Sequence, residues 1–293
     1  MRNWQTVGGC VQGASHIRNA KPCQDALRID NKLPLHIISL SDGHGSAACP
    51  YSDEGAKVAV DTAFFVFSSI FKGKDPYHTI STNKDIWLPK QIEQHWKNTI
   101  KGLHQVKGRD LPPDGEEFPY ELYGATLLTM VLTDDFVFAL QLGDGDILSI
   151  EELDEFEDSQ NVLNENARNK NAEDENFEET RKFHIDWVIP PDDSLGPETN
   201  SLCQTDCWQH MKTRIIHLEP GKRSPVFLLS TDGYANSFYN NDGFKKAGAD
   251  FYKLWHDEGK DYIESNIGGW LSESSAQGSG DDITLAIVVE EVK

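Results

Sequence analysis

The chain has 293 residues, of which 38% are hydrophobic, so it is long enough to bury a large core. Its formal net charge of −21 disfavours nucleic acids and anionic membrane surfaces as partners, because their phosphate groups would be repelled. The five cysteines have no regular spacing, and no apolar segment opens the N-terminus. Together with apolar runs too short to span a bilayer, these features predict a soluble chain in the reducing cytoplasm.

The first part of the chain predicts three strands. Residues 4–12 are expected to form an edge strand, and after the polar loop 13–25 the residues 26–30 alternate like a second strand. The apolar run 35–40 then leads to Asp42-Gly43-His44-Gly45. An apolar run that stops at Asp-Gly is typical of a buried strand that places a carboxylate at the sheet edge. Asp-Gly is also a common tight-turn dipeptide, so this motif alone is weak.

The same pattern recurs at three other places. Apolar runs lead into Gly143-Asp144-Gly145 and into Asp232-Gly233, and in mirror order Gly280-Asp281-Asp282 leads into an apolar run. Four aspartate-bearing strand ends, spread over the whole chain, are expected to meet in one carboxylate cluster. Their convergence would require a single domain over residues 1–293.

The remaining periodicities predict helices and further strands. Helical spacing of apolar residues begins at Ser52 and again over 88–106, and two more helices are expected between Gly243 and Ser272. Residues 147–150 are expected to add a third strand to a preceding hairpin, as a meander within one antiparallel sheet. Other strands are predicted at 124–132, 136–142, 183–189, 214–218, 226–231 and 283–289.

Two stretches do not fit this pattern of elements. Residues 151–180 hold twelve acidic residues and almost no aliphatic ones, which favours a solvated, mobile insertion over a binding element. Cys203, Cys207 and His210 have side chains that bind zinc, but a fourth ligand is missing, so a zinc site is not expected. His95 and His104 lie on helix faces that are typical of ordinary packing.

A cluster of carboxylates has a restricted chemistry. Like charges raise one another's pKa and repel, so the cluster needs cations to neutralise it. Oxygen-only ligands favour Mg²⁺ or Mn²⁺ over Zn²⁺. Two such ions can share a water, lower its pKa and direct the resulting hydroxide in line at a phosphorus atom. The predicted cluster consists of Asp25, Asp42, Asp144, Asp232 and Asp281.

The ordered set of motifs resembles the metal-dependent type 2C serine/threonine protein phosphatases, in their bacterial-type variant. The motifs that carry the resemblance are Asp25, Asp42-Gly43-His44-Gly45, Gly143-Asp144, Asp232-Gly233 and Gly278-Ser279-Gly280-Asp281-Asp282. The resemblance implies an α+β fold, a four-layer α-β-β-α sandwich of two mainly antiparallel sheets flanked by helices. It covers nearly the whole chain except the acidic insertion.

The resemblance also implies roles for individual residues. Asp42 would bridge two Mn²⁺ or Mg²⁺ ions, and Gly43 would offer its carbonyl oxygen to one of them. Asp232 and Asp281 would complete one ligand set and Asp25 would help to hold the other ion. In addition, Asp144 would contribute to a possible third site, and His44 would be the general acid that protonates the leaving oxygen.

Two positions depart from the family pattern. The family arginine that binds the substrate phosphate lies five residues before the first-loop aspartate, where this chain has Ala20. Lys21 and Arg18 are the preferred substitutes, with His16 as the other candidate. Gln24 stands where the family has glutamate, which removes one charge near a metal site. Both changes would weaken catalysis.

The implied partners are a phosphorylated protein and a cognate Ser/Thr kinase, with the chain acting as a monomer. Residues 196–202 take the place of the family's mobile flap and either set specificity or merely connect two elements. Two alternatives to a protein phosphatase stay open: a pseudophosphatase that binds phosphoproteins or a kinase, and an enzyme that hydrolyses small phosphorylated metabolites.

Overall fold

The computed structural model describes residues 2–32, 35–153, 182–191 and 199–291. Its strands are β1 (Trp4–Val11), β2 (Ala26–Lys32), β3 (Leu35–Ser41), β4 (Leu127–Leu132), β5 (Phe136–Leu142), β6 (Asp146–Glu152), β7 (Phe183–Trp187), β8 (Lys212–His217), β9 (Val226–Ser230) and β10 (Ile283–Glu290). Its α-helices are α1 (Ala14–Arg18), α2 (Ser52–Ile70), α3 (Pro76–Asn83), α4 (Trp87–Val106), α5 (Asp232–Ala235), α6 (Asn241–Asp257) and α7 (Lys260–Gln277). Two short 3₁₀ helices cover Tyr120–Tyr123 and Cys207–His210.

The strands form two five-stranded sheets. The first has the order β1-β10-β9-β6-β7 and the second β2-β3-β4-β5-β8. All eight pairings between neighbouring strands are antiparallel. The predicted α+β sandwich of two antiparallel sheets flanked by helices is confirmed.

An apolar layer separates the two sheets. Its members include Trp4, Ile38, Leu40, Leu128, Met130, Val137, Phe227, Leu229 and Val288. Neighbouring residues along a strand point to opposite faces. Ile38 therefore enters this layer, whereas Ile37 packs against the helices outside. Because each central strand is buried on both faces, it reads as a continuous apolar run rather than an alternating one.

Helices cover the outer face of each sheet. On the second sheet, α2 and α4 contribute Phe67, Ile92 and Trp96 to a core that includes Phe138 of β5. On the first sheet, α6 and α7 contribute side chains to a core with strands β6, β9 and β10; these include Phe244, Phe251, Ile263 and Ile267. The four predicted helices are all present in these two layers.

The predicted meander through residues 147–150 is wrong. After β5 the chain crosses to the other sheet, where β6 pairs with β7 and β9. The crossing occurs at Gly143, whose φ of +102° is available to glycine at little cost. Ile147 consequently enters the layer between the sheets, and Leu148 packs under the outer helices. A short glycine-containing connection fits a hairpin and a crossing equally well, so the sequence pattern does not distinguish them.

Three α-helices of the described residues have no counterpart in the sequence prediction: α1, α3 and the one-turn helix α5 that follows β9. The polar loop 13–25 contains α1, and α3 begins at Pro76 after Asp75, whose carboxylate accepts a hydrogen bond of 2.9 Å from the backbone of His78. The acidic insertion lies outside the described residues from 154 onward, and so do residues 196–198 of the predicted flap. None of the helices that the structure describes is long and apolar enough to cross a membrane.

Gly55 provides a test of the packing between α2 and the segment before β4. A Cβ at this position would lie 2.0 Å from the carbonyl oxygen of Tyr123, a backbone atom that cannot swing away. We expect Gly55→Ala to lower the free energy of unfolding by about 1–3 kcal/mol. In α4, a Cβ at Gly102 meets nothing within 4 Å, so Gly102→Ala should stabilise the chain by roughly 0.5–1 kcal/mol. Urea unfolding of both variants checks this, and a shift in the same direction for both would contradict it.

Candidate active site

Three carboxylates from both sheets meet at one end of the sandwich. Asp42 follows β3, Asp144 follows β5 and Asp232 follows β9. One oxygen atom of each lies within 4.8 Å of the others. Among the residues that the structure describes, this is the one such group of metal-ligand side chains, and the set Cys203, Cys207 and His210 forms none. The predicted convergence of strand ends therefore holds for these three aspartates.

The backbone of Asp42 is fixed by its neighbour in the sheet. Its N–H donates to Thr126 Oγ1 at 2.9 Å, and the Thr126 N–H donates to the Asp42 carbonyl at 2.8 Å. Burial raises the pKa of the Asp42 carboxyl well above its usual range, and the charges of nearby aspartates add to this effect. Those aspartates are Asp25, Asp232, Asp281 and Asp144. The charges of the other four predicted cluster members therefore all raise the pKa of the Asp42 carboxyl.

Asp232 begins the short helix α5. Burial first, and then the charges of Asp144 and Asp281, raise the pKa of its carboxyl to about 6. Asn236 Nδ2 donates to Asp232 Oδ2 at 2.9 Å. This hydrogen bond from Asn236, the residue directly after α5, holds the Asp232 carboxylate in place.

Asp25 is fully buried, and its position depends on β9. Thr231 Oγ1 donates to Asp25 Oδ2 at 2.8 Å, whereas Oδ1 is buried and has no hydrogen-bond partner among the described residues. Burial raises the pKa of this carboxyl well above the usual range, although the hydrogen bond from Thr231 opposes the rise. An unpaired buried carboxylate oxygen is costly, and a cation is one group that would satisfy it.

Asp281 and Asp282 have different surroundings. Asp281 is exposed at the start of β10, next to Gly233, and its charge reaches Asp42 and Asp232. Asp282 is buried. Its oxygens accept hydrogen bonds from Gly13 N at 2.6 Å, Gln24 N at 2.6 Å and His16 Nδ1 at 2.9 Å.

The Asp282 contacts connect the start of β10 to two segments near the N-terminus, the one around α1 and the loop before β2. An ionised carboxylate only accepts hydrogen bonds, so His16 Nδ1 must carry the proton. The contacts hold α1 and the loop before β2 against the start of β10, next to Asp25. Sequence reasoning gave Asp282 no role, because a partner 266 positions away leaves no local signal.

Asp144 is exposed and touches the segment that the resemblance compared with a flap. Thr199 Oγ1 donates to Asp144 Oδ2 at 2.5 Å. Further along, Ser201 and Leu202 are bound to Ala125: Ala125 N donates to Ser201 Oγ at 2.9 Å, and Leu202 N donates to Ala125 O at 2.9 Å. The described end of this segment is therefore attached to the site.

His44 and Gly43 follow Asp42 at the site. Gly43 N donates to Gln24 O at 3.1 Å and His44 N to Gly124 O at 3.0 Å. Burial lowers the pKa of His44, whereas the Asp144 charge raises it. His44 Nε2 is buried and meets no hydrogen-bond partner in the part of the chain that the structure describes. Gln24, the uncharged departure, directs its amide Nε2 to Ser52 Oγ, and its Oε1 has no partner.

The two candidate phosphate ligands lie on either side of the site. Lys21 Nζ donates to Gly45 O at 3.1 Å, next to His44. A Cβ at Gly280 would lie 3.9 Å from Arg18 Nη2, which places that guanidinium beside Asp281. Ala20 has a φ of +52°, a left-handed conformation that is unfavourable for a residue with a Cβ.

The donor set fits hard divalent cations. The cluster offers carboxylate oxygens alone, with no thiolate or imidazole among its three close members, and such sets select Mg²⁺ or Mn²⁺. The unpaired Oδ1 of Asp25 and the raised pKa values of Asp42 and Asp232 both reflect missing positive charge.

The stability of the metal-free protein should therefore depend on pH in a specific sense. The pKa of Asp232 is about 6 in the folded chain against an ordinary value of 3.8, so the folded state holds the proton more tightly. Stability then rises as the pH falls through 6, because the folded state takes up the extra proton. We expect a higher unfolding temperature at pH 5 than at pH 7.5 without metal, and a smaller gain in Asp232→Asn. Equal gains in both proteins would contradict the assignment.

The structure is a helix-flanked, two-sheet sandwich with a group of three carboxylates at one end, whose oxygens suit divalent cations. A family model described as Protein phosphatase 2C matches residues 12–272, and the chain belongs to this family.

The individual proteins to which this chain is similar have low sequence identity to it. Serine/threonine-protein phosphatase 3 of Escherichia coli K12 is 24% identical over 151 residues, which are 50% of this chain and 53% of the relative. The match thus spans about half of that protein's length. Among solved structures, the serine/threonine phosphatase of S. agalactiae has a TM-score of 0.54 at 18% identity and covers 99% of this chain and 100% of that one. PppA of Pseudomonas aeruginosa has a TM-score of 0.55 at 15% identity, with 98% of each chain covered. Both share the fold.

Proposed function

We propose that this protein is a metal-dependent phosphatase that hydrolyses phosphoserine and phosphothreonine monoesters in proteins. The observation that carries the proposal is the meeting of Asp42, Asp144 and Asp232 within 4.8 Å, at the strand ends where the family motifs fall. A negatively charged phosphate enters such an acidic site only when cations are present to offset the carboxylates. Family membership and the E. coli relative's name support the same substrate class.

In this proposal two Mn²⁺ or Mg²⁺ ions bind at the cluster. Asp42 would be a ligand of both ions, Gly43 would add its carbonyl oxygen, Asp232 and Asp281 would complete one ligand set, and Asp25 would support the other ion. Asp144 belongs to a third, weaker site. When bound, the ions supply positive charge for the phosphate and lower the pKa of a coordinated water.

His44 is proposed as the general acid. It follows Asp42, its backbone is held by Gly124, and among the described residues its Nε2 has no hydrogen-bond partner that would compete for the proton. The ring is half-buried and packs against Gly124, where an added Cβ would lie only 3.0 Å from Nδ1. A serine alkoxide is a poor leaving group, so a proton donor at this position would contribute about 10²–10⁴-fold to the rate.

Lys21 and Arg18 are proposed to bind the substrate phosphate in place of the missing arginine. We expect Lys21→Ala to raise KM for an aryl phosphate about tenfold with little change in kcat, since one charge-assisted hydrogen bond contributes about 1.5–3 kcal/mol. Arg18→Ala should act similarly. Lys72 follows the far end of α2 and is exposed, so Lys72→Ala is the matched control. Steady-state kinetics decides: a KM unchanged in both site variants removes Lys21 and Arg18 from phosphate binding.

The proposed partners are phosphoproteins and the Ser/Thr kinase that modifies them, with a monomeric, cytoplasmic enzyme. PppA, which shares the fold, is described as a key regulatory component of T6SS. Thr199, in the segment 196–202, donates a hydrogen bond to Asp144, and this segment is proposed to help select the protein substrate.

The test compares substrate classes on one sample. Phosphoserine and phosphothreonine peptides and a panel of small phosphorylated metabolites are incubated with the metal-free protein and with millimolar Mn²⁺ or Mg²⁺. We expect metal-dependent release of phosphate from the peptides at a higher kcat/KM than from the metabolites. A higher kcat/KM on a metabolite than on the peptides would identify small phosphorylated metabolites, rather than phosphoproteins, as the substrate class. Tight binding of phosphopeptides without turnover would instead favour the pseudophosphatase, which Ala20 and Gln24 motivate.

A further inference from the structure

Two thiols lie in contact behind the metal-site loops. Cys10 is in β1, opposite Thr284 of β10, and Cys23 is two residues before Asp25. Their Sγ atoms are 3.8 Å apart, and both cysteines are free thiols. Because the two residues come from a strand and from a separate loop, this contact is a product of the tertiary fold.

The two thiols differ in access to solvent. Cys10 is exposed, whereas Cys23 is half-buried and lies within 4.0 Å of the carbonyl oxygen of Asp25. A cleft of about 550 Å³ opens beside Cys10 and is also lined by Asp25, Lys57 and Asp61. A small oxidant therefore reaches the Cys10 sulfur first, with the Cys23 sulfur behind it.

The other cysteines are placed differently. Cys49 and Cys207 are buried, and the half-buried Cys203 donates its thiol hydrogen to Ser201 Oγ. An exposed thiol next to a second thiol is the arrangement found at cysteines that are oxidised reversibly.

We propose that Cys10 and Cys23 are a redox modification site that forms a reversible disulfide on reaction with a hydroperoxide. The Cys10 sulfur attacks the O–O bond of hydrogen peroxide, so that an S–O bond forms, the O–O bond breaks and one water leaves. The Cys23 sulfur then attacks the Cys10 sulfur, so that the S–S bond forms, the S–O bond breaks and a second water leaves. The two thiols lose two electrons and two protons, and the peroxide becomes two waters.

Bond formation requires the sulfurs to approach from 3.8 Å to about 2.05 Å. Cys10 is held in β1 by its pairing with β10, so in this proposal the loop that carries Cys23 makes the approach. This loop continues into Gln24, whose N–H donates to Asp282, and into the buried Asp25. Oxidation therefore displaces Asp25 relative to Asp42. The consequence, a weaker metal site, rests on the proposed function, but the disulfide itself does not.

The disulfide is tested by peptide mapping of the full chain. The reduced protein is treated with hydrogen peroxide, free thiols are alkylated, and the product is digested with trypsin. Cleavage after Arg2, Arg18 and Arg28, but not between Lys21 and Pro22, leaves Cys10 in peptide 3–18 and Cys23 in peptide 19–28. We expect these two peptides to be linked and dithiothreitol to release them.

Cysteine variants test whether the disulfide joins Cys10 and Cys23. The linked peptide should be absent from Cys10→Ser and Cys23→Ser and present in Cys203→Ser. If both cysteines stay open to alkylation, or if Cys10 is converted to its sulfinic acid without a linked peptide, the disulfide proposal is overturned.

Calorimetric titration with Mn²⁺ tests the consequence. We expect the oxidised protein to bind Mn²⁺ about tenfold more weakly than the reduced protein, the size of effect that displaced metal-site supports produce. Peroxide-treated Cys10→Ser should keep the affinity of the reduced protein. A linked peptide with unchanged Mn²⁺ affinity overturns the coupling to the metal site. If the reduced protein binds no Mn²⁺ but the peptides are linked, the proposed function fails and the redox site is supported.

Discussion

Replacing Asp42 with asparagine should reduce metal-dependent phosphate hydrolysis by at least about 10³-fold, because this residue lies at the centre of the carboxylate cluster. The other four aspartates all act on its carboxyl group, and its backbone is fixed by Thr126. A neutral amide removes one charge that both ions would share. Metal ions contribute several kcal/mol to such reactions, and about 4 kcal/mol corresponds to a factor of ~10³.

The control for this substitution is Asp135, which lies at the other end of β5, the strand that leads to Asp144. Asp135 precedes β5 in an exposed turn, about 20 Å from the other end of that strand. Asp135→Asn also removes one carboxylate but should leave kcat/KM unchanged. Initial rates on 4-nitrophenyl phosphate at saturating Mn²⁺ measure both variants. An Asp42→Asn rate within about threefold of the wild type would show that this carboxylate does not carry the chemistry.

His44→Ala should separate substrates by their leaving groups. A serine alkoxide needs a proton as it departs, whereas 4-nitrophenolate is stable without one. We therefore expect the kcat for a phosphoserine peptide to fall about 10²–10⁴-fold and the kcat for 4-nitrophenyl phosphate to fall much less. This difference reports on protonation of the leaving oxygen rather than on metal binding.

The matched control is His184→Ala, which removes an exposed imidazole from β7 in the edge of the other sheet. Its rates should equal those of the wild type on both substrates. Parallel losses on the two substrates in His44→Ala, with an intact Mn²⁺ affinity, would assign His44 to substrate positioning instead of proton transfer.

Most of the fold was predictable because the central strands are buried on both faces. Their apolar runs are long, and several end at an Asp-Gly pair, which marks both the strand end and the cluster. The crossing at Gly143 was not predictable, since the residues of β6 suit either sheet equally well. In contrast, α3 did carry a local signal that was overlooked: Asp75 before Pro76 is a typical helix start.

The site was predictable only for residues in the motifs. Asp42, Asp144 and Asp232 meet as expected, and their strand ends gave the signal. The residues that hold the site in place escaped prediction, because Asp282 and Thr231 act on partners more than 200 positions away. Such contacts depend on how the two sheets are stacked, and the residue pattern does not encode them locally.

The central claim is that the carboxylate cluster binds divalent cations that drive phosphate hydrolysis. Titration of the metal-free protein with Mn²⁺ in a calorimeter, followed by a rate assay on the same sample, tests it most directly. We predict that at least two ions bind per chain, that turnover of the aryl phosphate appears as they bind, and that Asp42→Asn loses both. A wild-type chain that takes up no Mn²⁺ at millimolar concentration, or that hydrolyses the phosphate equally well without it, would contradict the claim.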